Sequence, residues 1–260
     1  MAGVTVSVAV VTGGGRGLGR GIALALAGLG LDLVLGWATN RAAAEETADA
    51  VRARGGGASV QRCDVRHPEA VAALAAAAVE VGPLEVWVNN AGVSVLAPVV
   101  ETTPEQMADM MAVNFLGTFH GVAAAARAMM AGGRGGRIIN VASDLGLKAA
   151  PLLAGYSATK FAVVGLGQAA AVELAPHGIT VNSVCPGTVE TDMVTAEQRA
   201  EAELIGSTVE EVRRRLLADV PAGRFCTPED VGALVAWLGG APAEFVTGQA
   251  ICTNGGSIPH

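Results

Sequence analysis

The sequence predicts an α/β fold, a doubly wound parallel sheet of about seven strands with helices on both faces. Three observations carry that prediction. β-rich and helix-like runs alternate from Val4 to Cys252 without an internal repeat, the pattern of parallel strands joined by crossover helices. A glycine-rich turn, Thr12-Gly13-Gly14-Gly15-Arg16-Gly17-Leu18-Gly19, separates the first strand from the first helix. Polar or glycine residues recur just past the strands' carboxyl ends, where ligands of such sheets bind: this turn, Asp64, Asn90, Ser143 and Pro186-Gly187.

Taken in order, the first strand spans Val4 to Val11, and a helix from Arg20 to Leu29 follows the turn. Leu31 to Trp37 reads as the second strand, with a helix from Arg41 to Arg54. Ala58 to Arg62 is the third strand, leading through Cys63-Asp64-Val65 to a helix over Pro68 to Val81. Leu84 to Val88 is the fourth and ends at Asn89-Asn90-Ala91-Gly92. One long helix, Pro104 to Met130, carries Asn114 among apolar and small residues. The fifth strand, Arg137 to Val141, delivers Ser143, and the helix after it bears Tyr156 and Lys160. Thr180 to Val184 is the sixth strand. A more polar stretch, 188–226, contains two short helices, Ala196 to Leu204 and Val209 to Leu217. A helix from Pro228 to Leu238 and a strand from Gly248 to Cys252 close the chain. The 260 residues read as a single dinucleotide-binding and catalytic domain.

The glycine turn has the strand-before, helix-after context of a phosphate-binding loop. Missing side chains let backbone N–H groups approach a pyrophosphate at a helix N-terminus, where the dipole favours an anion. No Gly-Lys-Ser/Thr follows, so a triphosphatase loop is excluded. Cofactor candidates here are Gly13, Arg16, Gly17, Leu18 and Gly19. The second strand's tip, where an acid would take the adenosine ribose of NAD, reads Gly36-Trp37-Ala38-Thr39-Asn40-Arg41 and has no acid. Asp32 stands too early on the strand. Without a carboxylate to repel a 2′-phosphate, and with Arg16 and Arg41 to receive it, the site leans to NADP(H), with NAD(H) as the alternative. Trp37, Ala38, Thr39, Asn40 and Arg41 join the candidate contacts.

Tyr156 is the only tyrosine, and Lys160 is one of two lysines in a chain whose other cations are arginines. Four residues apart on a helix, they share a face. An ammonium beside a phenol is expected to lower a pKa that starts near ~10, making an acid/base usable near neutral pH.

Composition narrows the class. Hydrophobic residues make up 51% and aromatics only 3%, so the core is built from Ala, Val, Leu and Gly. A net charge of −7 with scattered arginines offers no basic patch for nucleic acid. Cys63, Cys185, Cys226 and Cys252 form no CxxC pair, and His67, His120, His177 and His260 are dispersed. They read as reduced thiols and no metal site. Met1 to Val8 reads as strand and not as a signal peptide, and the longest apolar run, Ile22 to Leu35, is broken by Gly28, Gly30 and Asp32. No membrane span and a cytoplasmic location are expected.

Thr12-Gly13-x-x-x-Gly17-x-Gly19, Asp64, Asn89-Asn90-Ala91-Gly92, Asn114, Ser143, Tyr156-x-x-x-Lys160 and Pro186-Gly187 resemble the short-chain dehydrogenase/reductases over essentially the whole chain. The chain is similar to their single-domain branch, both to 3-oxoacyl-carrier-protein reductases and to acetoin/butanediol or polyol dehydrogenases. The resemblance implies a Rossmann-type sheet and NAD(P)-dependent interconversion of a ketone and a secondary alcohol. Ser143 would hold the substrate oxygen and Tyr156 would exchange its proton. Lys160 would tune Tyr156 and bind the nicotinamide ribose, and Asn114 would hold a relay water. Asp64 and Val65 would meet the adenine, Asn90, Ala91 and Gly92 would line the cofactor, and Pro186, Gly187, Val189 and Thr191 would meet its nicotinamide end. The resemblance also implies a substrate lid at about 188–226 and a homotetramer or dimer. The expected pocket takes Ser94, Val95, Leu96, Asp144, Leu145 and Leu153. Docking of an acidic acyl-carrier protein is weakened, since the expected basic positions read Met130 to Arg134 and Ala175 to Gly178. A catalytically inactive cofactor sensor is the remote alternative.

Overall fold

A computed structural model describes residues 6–258. The expected strand start at Val4 and Thr5, the N-terminal reading over Met1 to Thr5, and His260 lie outside the described residues. Seven strands form one parallel sheet in the order β3-β2-β1-β4-β5-β6-β7. They are β1 (Val8–Thr12), β2 (Asp32–Trp37), β3 (Ala58–Arg62), β4 (Leu84–Asn89), β5 (Gly136–Val141), β6 (Ile179–Pro186) and β7 (Ala250–Thr253). The order reverses direction between β1 and β4, which opens a crevice at the carboxyl edge beside the glycine turn.

Helices α1 (Gly17–Ala27), α2 (Arg41–Arg52) and α3 (Pro68–Val81) connect the first four strands. The segment expected as one helix over Pro104 to Met130 is interrupted. It comprises α4 (Pro104–Met110), a wide π-turn (Met111–Leu116) and α5 (Gly117–Gly132). Next come α6 (Ala154–Leu174), α7 (Asp192–Ile205), α8 (Val209–Ala218) and α9 (Pro228–Gly239). Helix α7 starts four residues before the expected Ala196 because the Thr191 side chain accepts from Val194 N and caps it there. Helix α1 starts three residues early, since the last glycines of the turn already have helical hydrogen bonding.

Alternating strand residues feed two cores. Ala9, Val11, Val86, Val88, Ile139 and Val184 face one side, against Ile22 and Leu26 of α1, Val51 of α2 and Val235 of α9. Val8, Val10, Trp87, Ile138 and Val181 face the other, against Leu74 of α3, Val122 and Met129 of α5 and Ala171 of α6. Small residues permit the closeness. A Cβ on Gly21 would fall 2.6 Å from Pro228 Cβ, so α1 and α9 meet backbone to backbone. Asp32 accepts from Gly57 N at 2.8 Å and pins the loop before β3, consistent with a structural place for that acid. Cys63, Cys185 and Cys226 are buried and Cys252 half-buried, all as free thiols, and burial raises Cys63 and Cys185 to about 12.

Candidate active site

The glycine turn is held in shape by β4. Thr12 Oγ1 accepts from the Asn90 and Ala91 amides at 2.9 and 3.1 Å. The Asn90 carboxamide in turn donates to the carbonyls of Thr12 and Gly13, at 2.9 and 3.2 Å. Gly13 and Gly17 adopt φ of +63° and +49°, the left-handed region that favours glycine. Gly15 lies under α2, where a Cβ would stand 2.9 Å from Ala44 N. Only Thr191 stands near a Cβ built on Gly17, at 3.5 Å, so the turn and the start of α7 face each other across a slot.

The slot fits a dinucleotide pyrophosphate. Arg16, the N-cap of α1, offers no side-chain cap, and no acid sits in the first turn. The first amides of α1 are therefore free for an anion, in the favourable field of the helix end. Gly92 widens the same channel, since a Cβ there would meet Asn114 Oδ1 at 3.4 Å and Lys160 Nζ at 3.8 Å. At the adenosine end, Trp37 is half-buried and Ala38, Thr39, Asn40 and Arg41 are exposed. Asn40 caps α2 by accepting from Ala43 N. Arg41 pairs loosely with Glu45 at 3.3 Å, on the surface. Asp64 is clasped by Arg66 at 2.6 Å, which holds its carboxyl below the usual range. Val65 turns its side chain inward, against Gly117.

Ser143, Tyr156 and Lys160 converge at the carboxyl ends of β5 and β6. Ser143 Oγ accepts from Leu145 N at 3.1 Å, and the Ser143 hydroxyl acts to favour the Tyr156 phenolate. Lys160, almost wholly buried, passes the Tyr156 ring with Nζ 5.5 Å from the centroid and donates to Val141 O at 2.8 Å. This corrects the expected electrostatics. The phenol stands above its ordinary value, held there by burial first, then by Glu197 and Asp144. Lys160 lies over the ring face with its head drawn to the end of β5, and burial lowers it to about 8. Among this chain's own groups, burial sets the direction of the Tyr156 shift.

Asn114 sits in the π-turn, fully buried. Its side chain accepts from Val93 N at 2.8 Å and donates to Val93 O at 2.9 Å and Thr159 Oγ1 at 3.0 Å. The side chain is thus committed to bracing the loop after Gly92 against α6. The Asn114 carbonyl accepts from Thr118 Oγ1 at 2.7 Å.

Pro186 ends β6, and Gly187 donates to Thr253 O at 3.2 Å. A Cβ on Gly187 would meet Asn254 at 2.9 Å and lie 3.6 Å from Asp144 Oδ2. Val189 is buried in a bridge to Cys226. Thr191 faces the slot from the N-cap of α7. The expected site residues from the glycine turn to Thr191 therefore share one edge of the sheet.

The segment between β6 and α9 folds as the pair α7 and α8, tied by ion pairs. Arg213 bonds Glu190 and stacks 4.6 Å from the Phe225 ring centroid, and Arg215 bonds Glu201. The triple arginine is a solvated face that clamps this segment. The sequence reading missed Glu197, a half-buried acid of α7 whose charge reaches Tyr156. Its signal was faint: an acid four residues before Glu201 on a helix whose buried residues are Gln198 and Ala202. Leu152, at φ +66°, also went unnoticed; its carbonyl receives Ala97 N at 2.9 Å and ties the two loops beside the site.

The sequence profile of the short chain dehydrogenase family matches residues 7–202. The chain is 39% identical over 186 residues to an L-2,3-butanediol dehydrogenase of Corynebacterium glutamicum, covering 72% of each chain. A solved variant of actinorhodin polyketide ketoreductase with NADPH superposes with a TM-score of 0.93 at 38% identity, over 99% of both chains. An NAD+-bound xylitol dehydrogenase superposes at 0.91 with 32% identity, over 96% of this chain and 98% of that one. The chain belongs to the short-chain dehydrogenase/reductase family and is an NAD(P)-dependent oxidoreductase acting between C=O and CH–OH groups.

Proposed function

We propose that the protein reduces a ketone to a secondary alcohol with NADPH, through Ser143, Tyr156 and Lys160. The convergence of those three side chains beside a glycine slot that fits a pyrophosphate carries the reading. When bound, the cofactor supplies the hydride. Ser143 holds the substrate oxygen, and the Tyr156 phenol lies where it can protonate that oxygen as negative charge grows on it. A phenol held above its ordinary value is fully protonated at neutral pH, which suits the reducing direction. Lys160, from its seat on Val141 O, replaces charge near Tyr156 and faces the channel at Gly92 toward the ribose. Asn114 acts as a positioning residue, bracing that channel through Val93 and Thr159. Pro186, Gly187, Val189 and Thr191 meet the nicotinamide end, and α7 with α8 forms the lid of a single catalytic domain.

The NADP(H) preference rests on the acid-free tip at Trp37 to Arg41, on exposed Arg16 and Arg41, and on Asp64 being neutralised by Arg66. The second reading, NAD-dependent oxidation of a secondary alcohol or polyol, draws on similarity to the butanediol and xylitol dehydrogenases. Exposed Leu116, Phe119, Phe161 and Val172 on the π-turn, α5 and α6 support assembly into a homotetramer, which light scattering in solution tests. Hydride transfer measured for the wild type and Tyr156→Phe tests the chemistry: the variant is expected to lose at least about 10²-fold in kcat. Equal turnover would overturn the mechanism. A lower kcat/KM with NADPH than with NADH would overturn the cofactor assignment.

A further inference from the structure

The segment after β7 folds back against the reaction edge. Asn254 turns it: its side chain accepts from Gly256 N at 3.1 Å and donates to Ile258 O at 3.2 Å. Gly255 and Gly256, at φ +62° and +89°, take backbone conformations that favour glycine. The folded segment then touches three places. Asn254 covers Gly187, where a Cβ would stand 2.9 Å from the Asn254 Cβ. Gly255 O receives Ala222 N at 3.0 Å, at the exit of the α7–α8 segment, and Gly256 lies against Pro221. Ser257 Oγ donates to Asp144 Oδ2 at 3.3 Å.

Asp144 follows Ser143 in the chain and is 9% exposed. Its other oxygen, Oδ1, accepts from Ser143 Oγ at 3.4 Å. The carboxylate therefore stands between two hydroxyls, at distances longer than a relaxed O–H···O bond. Lys148, four residues on, is exposed and acts on it only from a distance. Ser143 has a single proton to give, and its oxygen already accepts from Leu145 N. That proton goes either to Asp144 or to a substrate oxygen. A buried carboxylate short of donors competes strongly for it.

We propose that Ser257 is a positioning residue for catalysis, which holds Asp144 Oδ2 and so keeps that carboxylate from capturing the Ser143 proton. This role rests on the ketone-reducing reading above and deepens it. With Ser257 in place the carboxylate is shared, and Ser143 can turn its proton to the substrate oxygen as negative charge grows there. Without the Ser257 hydroxyl, Oδ2 loses its side-chain donor, and the carboxylate closes on Ser143, the side-chain donor that remains. The lost interaction is one that strengthens in the transition state, so kcat falls while KM and cofactor affinity hold. The same folded segment receives Ala222 N, so the exit of the lid and the Ser143 proton depend on one stretch of backbone.

The test uses whichever of cyclohexanone, 2-butanone and ethyl 3-oxobutanoate the wild type reduces fastest. Kinetics are compared for wild type, Ser257→Ala, Ser257→Thr, Asp144→Asn and the Ser257→Ala/Asp144→Asn double variant. In Ser257→Ala, kcat should fall about tenfold, short of the ~10²-fold that follows outright loss of such a donor. KM, and NADPH affinity by fluorescence, should stay within about twofold of wild type. Ser257→Thr, which keeps the hydroxyl, should recover most of kcat. With Asp144→Asn already present, the competing charge is gone, and Ser257→Ala should cost about twofold or less. Unchanged kcat in Ser257→Ala, or an equal loss in both backgrounds, overturns the role of Ser257 and leaves ketone reduction standing. If Asp144→Asn is inactive or fails to fold, Ser257→Thr decides: recovery supports the role, and none overturns it. Reduction of no ketone by the wild type, with either cofactor, sinks the reading beneath it.

Discussion

Lys160 Nζ donates to the Val141 carbonyl at 2.8 Å, so the buried ammonium is anchored to the strand that delivers Ser143. This bond joins α6 to the carboxyl end of β5, alongside the close approach of Gly146 to the Lys160 carbonyl, where a Cβ would stand 2.8 Å away.

Replacing Lys160 therefore disturbs geometry and charge together. Lys160→Arg places a planar, larger head in a closed space, and Lys160→Met leaves Val141 O without this donor. Both are expected to lose at least about 10²-fold in kcat, and Lys160→Met to lose about 1–3 kcal/mol of stability if no water replaces the bond. Steady-state kinetics alongside thermal melts check this. Retention of wild-type kcat in either variant would remove Lys160 from the mechanism.

The pH dependence of the reaction should follow the groups around Tyr156: Lys160 on its own helix, Asp144 after β5, Cys185 on β6 and Glu197 on α7. Burial, Glu197 and Asp144 raise the phenol, so reduction, which uses the protonated form, should persist to alkaline pH. Oxidation, which uses the phenolate, should rise with pH. Glu197→Gln removes one negative neighbour. The Tyr156 pKa must then fall, moving the alkaline limb of reduction and the rising limb of oxidation to lower pH. Profiles of kcat/KM in both directions read this, and an upward movement would contradict it.

Gly19 has no room for a methyl group: a Cβ there would overlap the Gly13 carbonyl and stand 2.7 Å from Asn90 Nδ2. Gly19→Ala should open the clasp between the turn and Asn90 and weaken NADPH binding by at least about tenfold, or ~1.4 kcal/mol. Fluorescence titration measures it. Unchanged affinity would mean that the turn is not the pyrophosphate seat.

The α9 N-terminus is expected to contribute to stability away from the site. Thr227 accepts from Asp230 N at 3.2 Å while Asp230 accepts from Thr227 N at 2.8 Å, a reciprocal capping box. Thr227→Ala should cost about 1 kcal/mol, a fall of about 2–4 °C in Tm, with kcat unchanged. Arg224 and then Thr227 hold Asp230 well below the usual carboxylate range. Because the folded value lies below the unfolded ~3.9, this contribution is complete above that pH and fades as pH falls toward the folded value. Melts at pH 7 and pH 3 should show the difference shrinking.

The sheet was legible because its signals are local. Ala58 to Arg62 and Pro68 to Val81 match their observed elements at both ends; Gly57 precedes the strand, and Pro68 and Gly82 bound the helix. The glycine turn, Ser143, Tyr156 and Lys160 were legible because few residue types perform their chemistry. The π-turn was hidden, since a wide turn uses the same apolar residues as an α-helix and is imposed by what Asn114 must reach. Glu197 was hidden because its surroundings come from segments about 40 and 100 residues away in sequence, at Tyr156 and Ser94. The Tyr156 shift was misjudged because spacing reveals a nearby charge, whereas burial depends on the packed whole.

The wide turn at Met111–Leu116 also acts as a phase shifter. Each extra residue rotates the downstream half of the rod by about 100° around the helix axis. Within the turn, Asn114 must face Val93 and Thr159; downstream, Gly121 must face Asn89 and Trp87, where any side chain would collide. With one residue removed, the helix would keep good hydrogen bonds throughout and satisfy only one of these two neighbours. The turn lets one continuous rod serve the reaction edge with its first half and the sheet with its second, each in its own angular register.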